Sequence, residues 1–299
     1  MTAPTPLHQS RRLGDWTIHA LQAGGQLLDG GAMFGVVPKP LWERRIPADA
    51  RNRIPLGMRC LLVEHPSAGP VLIDTGVGNK EDAKFIDIYG IENTVPGHRT
   101  MLEAALAAAG FAPEDVRVVI NTHLHFDHAG GNTSRDEEGA IVPSFPNARY
   151  LVHGREMHYA THTNERTAAS YFARNWDVLG ERGQLELVEH GVELLPGVQM
   201  RHTPGHTPWH QSIVLTSAGE TAVFLGDVCP TAAHVPLPWI IGYDVEPLVT
   251  LESKRALWQD AAAGSWLVVF EHDAVEAWGR VRVGGKGYEY ETGEVRRET

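Results

Sequence analysis

The sequence predicts an α/β fold, and three observations support that class. Short apolar runs rich in β-branched residues alternate along the chain with segments of helical periodicity. Polar turns and glycines separate these segments, and no linker, low-complexity tract or repeat of fixed period interrupts them. At 299 residues, the chain is long enough to bury a large core. We therefore expect one domain over residues 1–299.

The elements follow from local composition. The predicted strands are 17–21, 58–64, 70–74, 116–121, 149–152, 185–189, 211–215, 221–225 and 266–271. The predicted helices are 100–109 and 248–263, each followed by a glycine. Residues 279–283 and 288–291 flank two glycines and predict a final hairpin. Two segments depart from the alternation, and we expect a loop at about 22–57 and a helical insertion at about 153–183.

The composition favours a cytoplasmic protein with a small-molecule substrate. No apolar run approaches the length of a membrane span, and the N-terminal segment lacks the apolar stretch of a signal peptide. The two cysteines, Cys60 and Cys229, are too few for a disulfide framework, so we expect free thiols. A formal net charge of −11 disfavours nucleic acid as a partner. We expect neither a nucleic acid nor a membrane as a partner.

The most informative segment is 121–131, Asn-Thr-His-Leu-His-Phe-Asp-His-Ala-Gly-Gly. It places His123, His125, Asp127 and His128 directly after a predicted strand, where α/β proteins commonly place their sites. An extended backbone would point His123 and His125 the same way. Three imidazoles and a carboxylate, with no Lys or Arg among them, are typical ligands of a borderline divalent metal such as zinc.

Four other motifs place further candidate site residues at turns or strand ends. The sequence Thr-Pro-Gly-His-Thr presents His206 at a Pro-Gly turn. Asp74, Asp227 and His272 each come at the end of an apolar, β-branched run. A single histidine at a strand end is more often structural, so each motif alone is weak evidence, whereas the ordered set is specific.

Together these motifs, from about Arg59 to His272, resemble the metallo-β-lactamase superfamily. Within it, they resemble the branch of N-acyl-homoserine lactonases and methyl-parathion-type hydrolases. The resemblance implies a four-layer αβ/βα sandwich, in which two mixed β-sheets are flanked by helices and the site lies at one edge.

The resemblance also implies two divalent metal ions per chain. Three histidines would hold one ion, two histidines and an aspartate would hold the other, and one aspartate would bridge them: His123, His125 and His206; His128, His272 and Asp127; and Asp227. Zinc is the expected metal, although manganese, cobalt or iron would also suit these ligands. A hydroxide between the ions would attack a lactone or ester, and Asp127 would relay a proton to the departing alkoxide.

The resemblance favours a quorum-quenching lactonase and leaves alternatives open. The first is an organophosphate triester hydrolase (a phosphotriesterase) of the same branch. A di-iron redox enzyme and a non-catalytic metal-binding protein are more distant alternatives, because no ligand of the hydrolase set is missing.

Well-known lactonases carry a tyrosine three residues past the bridging aspartate, where this chain has Pro230. Either Tyr243 supplies this catalytic hydroxyl from elsewhere in the chain, or the enzyme lacks it. Homodimer formation also remains open.

Two segments rich in glycine, proline and aromatic residues are candidates for the walls of a substrate cleft. They are 28–42 in the N-terminal part and 230–244 after the bridging aspartate. Their apolar content is unusual for solvated loops, and either a cleft wall or packing on the core would explain it. The candidate wall residues are Met33, Phe34, Trp42, His234 and Trp239.

Three more histidines, His153, His158 and His162, lie in the predicted insertion. A further metal site there would need an acid or a cysteine to complete the ligand set, and we do not expect one to do so. We interpret them as part of a helix surface.

Overall fold

The computed structural model describes residues 6–293, and their backbone forms sixteen strands and eight α-helices. In chain order the strands are β1 (His8–Leu13), β2 (Trp16–Asp29), β3 (Arg53–His65), β4 (Gly69–Ile73), β5 (Val118–Ile120), β6 (Thr133–Arg135), β7 (Ile141–Pro143), β8 (Arg149–His153), β9 (Leu185–Val188), β10 (Glu193–Leu195), β11 (Val198–His202), β12 (Gln211–Ser217), β13 (Glu220–Phe224), β14 (Leu267–Val269), β15 (Trp278–Gly284) and β16 (Gly287–Thr292). The helices are α1 (Gly30–Phe34), α2 (Lys39–Trp42), α3 (Ala83–Tyr89), α4 (Met101–Ala108), α5 (Phe126–Ala129), α6 (Gly154–Thr161), α7 (Asp177–Glu181) and α8 (Pro247–Ala263). Within this part of the chain, no helix is both long and apolar enough to cross a membrane.

Two seven-stranded sheets form the core of the fold. The first has the order β1-β2-β3-β4-β5-β8-β9, and the second runs from β10 to β16 in sequence order. The first sheet is antiparallel from β1 to β4 and parallel from β4 to β9. In the second sheet, β13 and β14 are parallel and the other neighbours are antiparallel. Both sheets are therefore mixed.

The sheets face each other across an apolar layer, and helices cover their outer faces. Ile18 and Leu61 of the first sheet pack in one cluster with Ile213 and Phe224 of the second. Outside this layer, α4 packs on the first sheet and α8 packs on the second. The order of helix, sheet, sheet and helix is the αβ/βα sandwich that the motifs imply, so the predicted fold class is confirmed.

Strand β3 explains why the central strands are continuous apolar runs. Leu61 and Val63 face the layer between the sheets, whereas Cys60 and Leu62 face the helices. Because both faces are buried here, the run from Cys60 to Val63 is apolar at every position. Cys60 and Cys229 are both buried and free, as predicted.

The predicted strands, helices and hairpin all coincide with or overlap elements of the structure, while five strands were not predicted: β1, β6, β7, β10 and β11. Strand β1 has the sequence His-Gln-Ser-Arg-Arg-Leu and lies at a sheet edge, where charged residues are common and an apolar run is not required. Strand β11, Val-Gln-Met-Arg-His, does alternate in the manner of a half-buried strand. Its pattern was present in the sequence.

The interpretation of residues 22–57 as one loop is wrong, because strands occupy both of its ends. Strand β2 continues to Asp29, and β3 already begins at Arg53. The pairing of these strands shifts register between Gln22 and Gly25, and the glycines of this bulge conceal the strand in the sequence. The predicted insertion at 153–183 contains α6 and α7, but His153 is the last residue of β8.

Candidate metal centre

The predicted ligands come together where several strands end at one edge of the sandwich. The turn after β5 carries four of them, and the connections after β11, β13 and β14 carry the others. Asp74, directly after β4, has a positive φ of 54°, a conformation that costs some strain outside glycine. Its carboxylate accepts hydrogen bonds from the backbone N–H and the hydroxyl of Thr122. These bonds fix the start of the histidine-rich turn.

Three imidazoles, those of His123, His125 and His206, form the first group. One nitrogen of each lies within 4.8 Å of the other two, and His125 Nδ1 is 3.0 Å from His206 Nε2. Burial lowers the pKa of His123 and of His125 well below the usual histidine range, so both rings are neutral and retain a lone pair. Within residues 6–293, His123 Nε2 is buried without a hydrogen-bond partner. A buried nitrogen of this kind costs free energy unless a ligand binds it.

The second group consists of Asp127, His128 and His272. The Nε2 atoms of the two histidines lie 3.2 Å apart. Asp127 Oδ1 is 3.8 Å from His128 Nε2, and its Oδ2 is 3.7 Å from His272 Nε2. Two ring nitrogens at this distance repel each other when both carry protons, whereas a cation would satisfy both lone pairs.

Asp227 lies between the two groups. Its Oδ2 is 3.0 Å from His206 Nε2, and its Oδ1 is 3.1 Å from His272 Nε2. Burial alone would raise the pKa of Asp227, but the neighbouring His272 and His206 hold it well below the usual range. The carboxylate is therefore ionised, and each of its oxygens faces one group. In addition, His210 Nε2 accepts a hydrogen bond from the Asp227 backbone N–H at 3.0 Å, which fixes the backbone of this residue.

In three of the histidines, the ring nitrogen that points away from the centre of the site faces a hydrogen-bond acceptor. These contacts are His128 Nδ1 with Asp74 (3.1 Å) and Glu271 (2.9 Å), His206 Nδ1 with Asp244 (3.0 Å), and His272 Nδ1 with the Gly57 carbonyl (2.8 Å). When Nδ1 donates in these contacts, Nε2 keeps its lone pair toward the centre of the site. Carboxylates and carbonyls in these positions are typical of histidines that bind metal ions.

Glu156 connects the two loops that carry the first group, and sequence reasoning missed it. Its Oε1 accepts hydrogen bonds from the Leu124 N–H and the Tyr171 hydroxyl, at 3.2 and 3.0 Å. Its Oε2 accepts one from the Thr207 hydroxyl at 2.7 Å. Leu124 lies between two of the histidines and Thr207 follows the third, so one buried carboxylate ties both loops together. A lone glutamate in a helix gives no indication of this in the sequence.

The donor set fits divalent metal ions. Five imidazoles converge with the carboxylate of Asp127 and the ionised carboxylate of Asp227. Hydrogen bonding within the protein leaves His123 Nε2 unsatisfied, and a bound cation would remove that cost. The two groups and the aspartate between them could hold two ions.

Comparison with known proteins agrees with this geometry. The family model described as the metallo-beta-lactamase superfamily matches residues 55–266. The chain belongs to the metallo-β-lactamase superfamily. The matched region contains all the predicted ligands except His272, which follows it closely on the next strand end.

Individual members of the superfamily are similar over most of the chain. An N-acyl homoserine lactonase from a Bacillus species is 30% identical over 224 residues, which are 72% of this chain and 80% of that protein. The structure of a probable metal-dependent hydrolase from Staphylococcus aureus superposes with a TM-score of 0.84 at 33% identity, covering 95% of this chain and 99% of that one. AidC, a dizinc quorum-quenching lactonase in complex with a product, superposes with a TM-score of 0.79 at 19% identity, covering 97% and 98%. This last likeness shows the fold alone. The chain is a metal-dependent hydrolase.

In this member of the superfamily, a cavity of about 350 Å³ opens onto the candidate ligands. His125, Asp127, His206, Asp227 and His272 all border it. Its apolar lining is formed by Leu28, Ala32, Met33, Leu56, Phe126, Ile241 and Val245. Its polar lining includes Gln26, Tyr89, Arg166 and Tyr243. A ligand bound there would contact both the metal-binding groups and an apolar wall.

The proposed wall residues divide into two sets. Met33 and Tyr243 line the cavity. The other four residues, Phe34, Trp42, His234 and Trp239, lie outside this lining and pack on one another. Phe34 stacks on Trp42 and on His234, with ring centroids 5.2 and 4.5 Å apart, and meets Trp239 edge-on. The aromatic content of segment 28–42 therefore reflects core packing.

Three polar residues of the cavity were missed because they come from separate segments. Gln26 lies on β2, Tyr89 ends α3, and Arg166 lies in the connection between α6 and α7. Gln26 Nε2 donates to Asp127 Oδ2 at 2.6 Å. No local pattern marks these residues, since only the tertiary fold brings them together.

Proposed function

We propose that this hydrolase opens the ester ring of N-acyl lactones with an apolar acyl group, using two divalent metal ions, with zinc as the expected metal. The observation that carries the proposal is the cavity, which joins the two candidate metal groups to an apolar wall. The relatives named as N-acyl homoserine lactonases support it, since a homoserine lactone is a cyclic ester.

The first group and the second group would each hold one ion, and Asp227 would contribute one oxygen to each. Ions bound there would supply Lewis acidity and lower the pKa of a bound water toward neutrality. Manganese, cobalt or iron would also suit these ligands. The chain's own contribution is to fix the ligands through the contacts of His128, His206 and His272 with their acceptors.

Two side chains of the cavity are suited to handle the substrate's oxygens. Asp127 accepts a hydrogen bond from Gln26, which orients its carboxylate beside the ligand groups, and it would relay a proton to the departing alkoxide. Burial raises the pKa of Tyr243 to about 12, so its hydroxyl stays protonated at neutral pH and can donate a hydrogen bond. Tyr243 would thereby supply the hydroxyl that well-known lactonases carry three residues past the bridging aspartate, where this chain has Pro230.

Arg166 holds the loop that carries Tyr243. One guanidinium nitrogen donates to the carbonyls of Gly242 and Asp244, both at 3.3 Å. Tyr243 lies between these two carbonyls, so the contact fixes the backbone on both sides of it. The apolar side chains opposite, such as Met33 and Ile241, would contact the acyl chain of the substrate.

The test is turnover of two substrates by the purified protein, with its metal content measured on the same preparation. A long-chain N-acyl homoserine lactone should be opened rapidly, and a preparation with about two ions per chain should be the active one. A short-chain lactone is the matched control, because loss of apolar contacts should raise KM more than it lowers kcat. Turnover of an aryl phosphotriester without turnover of the lactone would reassign the site to the organophosphate class. Iron with no hydrolysis of either would overturn the proposal.

A further inference from the structure

A second cluster of metal-ligating side chains lies outside the site described above, at the ends of two parallel strands. His153 is the last residue of β8 and pairs in register with Val188, the last residue of β9. Glu189 and His190 follow β9 directly. Since parallel strands end at the same edge of a sheet, the three side chains come together although 36 positions separate His153 from Glu189.

The geometry of this cluster suits a cation. His153 Nε2 lies 3.1 Å from His190 Nδ1 and 3.7 Å from Glu189 Oε2. One ligand atom from each of the three residues lies within 4.8 Å of the others. Two imidazole nitrogens and one carboxylate oxygen are a donor set that zinc and other borderline divalent metals accept, with remaining positions open to water.

Stacked rings hold the two imidazoles in place. His190 stacks on His202 with centroids 4.7 Å apart, and His202 stacks on Trp209 at 5.4 Å. His153 stacks on Trp209 in turn, at 5.6 Å and an interplanar angle of 10°. His202 Nε2 donates to the Pro208 carbonyl at 3.0 Å, which fixes the middle of the stack. Ligands held in this way lose little side-chain entropy when they bind an ion.

His153 is buried and His190 is exposed, and this difference permits an ion to bind between them. His153 is buried, and burial lowers its pKa to about 4, so its ring is neutral at physiological pH. Glu189 and His190 are exposed, so an ion can reach the cluster from solvent without any change in the fold. A neutral hydrogen bond between the two rings would also place their nitrogens 3.1 Å apart, and the experiment below distinguishes that arrangement from metal binding.

We propose that His153, Glu189 and His190 form an additional site for a divalent transition metal, of the zinc class, separate from the catalytic pair. This corrects the sequence interpretation, which grouped His153 with His158 and His162. In the structure His158, on α6, and His162, directly after α6, stack on each other with ring centroids 4.1 Å apart. In the described part of the chain, neither of them belongs to a cluster of three metal-ligating groups.

The experiment is a calorimetric titration of Zn²⁺ into the protein already loaded at its catalytic site. Wild type should bind one further ion per chain. His190→Ala and Glu189→Gln should weaken that site by on the order of 100-fold or more, because each removes a ligand. Both positions are exposed, so both variants should fold. His162→Ala, which removes an exposed histidine of the same region, is the matched control and should bind like wild type.

Each outcome of these experiments either supports or overturns the proposed metal site. Absence of a further Zn²⁺ in wild type would overturn the proposal, as would loss of that ion in His162→Ala with retention in His190→Ala. A zinc anomalous-scattering peak between His153 and His190 in crystals soaked with Zn²⁺ should accompany the wild-type result. Its absence at saturating Zn²⁺ would overturn the assignment to these ligands. Hydrolysis by the His190→Ala enzyme should equal that of wild type, because the residue lies outside the catalytic centre.

Discussion

The histidine-rich turn at 121–131 and the aromatic segment at 28–42 are both distinctive in sequence, but they differ in what surrounds them. The turn places polar atoms in a buried site, where His123 Nε2 has no protein partner within the described residues. The aromatic segment places Phe34 and Trp42 in an apolar cluster, where their rings pack against neighbouring rings. A buried polar group without a partner indicates a ligand, whereas a buried ring in contact with other rings indicates packing.

The largest effect is expected in the histidine-rich site, at Asp227, the proposed bridging aspartate. Asp227→Ala removes an oxygen from each metal group, and with it several kcal/mol of transition-state stabilisation. Hydrolysis should fall by at least about a thousandfold, and the metal content should fall with it. Metal analysis and turnover on the same sample measure both, and circular dichroism should show that the fold is retained.

The matched control for that variant is Asp273→Asn. Asp273 is also buried, but its oxygens accept hydrogen bonds from the backbone N–H groups of Ala232, Val275 and Glu276. We expect it to lower thermal stability without changing the metal content. Full activity in Asp227→Ala would contradict the two-metal centre altogether.

The candidate metal ligands could be located from the sequence because each lies in a local motif at a strand end or turn. Their supporting residues could not, since Glu156 and Gln26 reach the site from segments with no motif of their own. The aromatic segment was ambiguous for a physical reason: large apolar side chains suit a cleft wall and a core equally well. Only the fold shows that Met33 faces the cavity while its neighbour Phe34 faces the core.

The next largest effect concerns the aromatic segment. Trp42→Ala should lower the free energy of unfolding by about 3–5 kcal/mol, because it removes a fully buried ring that stacks on Phe34. The metal content and KM of the folded enzyme should stay close to wild type. Denaturant unfolding and steady-state kinetics measure the two quantities. Leu41→Ala, at the adjacent half-exposed position, is the control and should change stability little. A large change in KM with unchanged stability would return Trp42 to the cleft wall.

A smaller effect is expected at Glu156, which supports the turn without binding a ligand. Glu156→Gln keeps the volume but places an amide NH₂ against a donor, at a cost of about 1–3 kcal/mol. Because the loops of His123 and His206 lose a shared acceptor, metal affinity should fall by roughly 10–100-fold. Activity should recover when metal is added in excess, which a direct catalytic role would not allow. Glu186→Gln, in an exposed ion pair with Arg149, should leave metal affinity unchanged.

The smallest effect is expected at Tyr243, which lines the cavity and stays partly exposed. Tyr243→Phe removes only the hydroxyl, so kcat for a lactone should fall by roughly tenfold, with KM and metal content near wild type. Tyr89→Phe removes the other tyrosine hydroxyl of the cavity lining and is the matched control, expected to keep the wild-type kcat. Equal losses in both variants would mean that the hydroxyls act through the general polarity of the cavity. A loss confined to Tyr243→Phe would place a hydrogen-bond donor opposite the metal centre, on a loop fixed by Arg166. Tyr243, further along the same segment, would then replace the tyrosine absent at Pro230, because the reaction requires a donor at that point in space and not at a given point in the sequence.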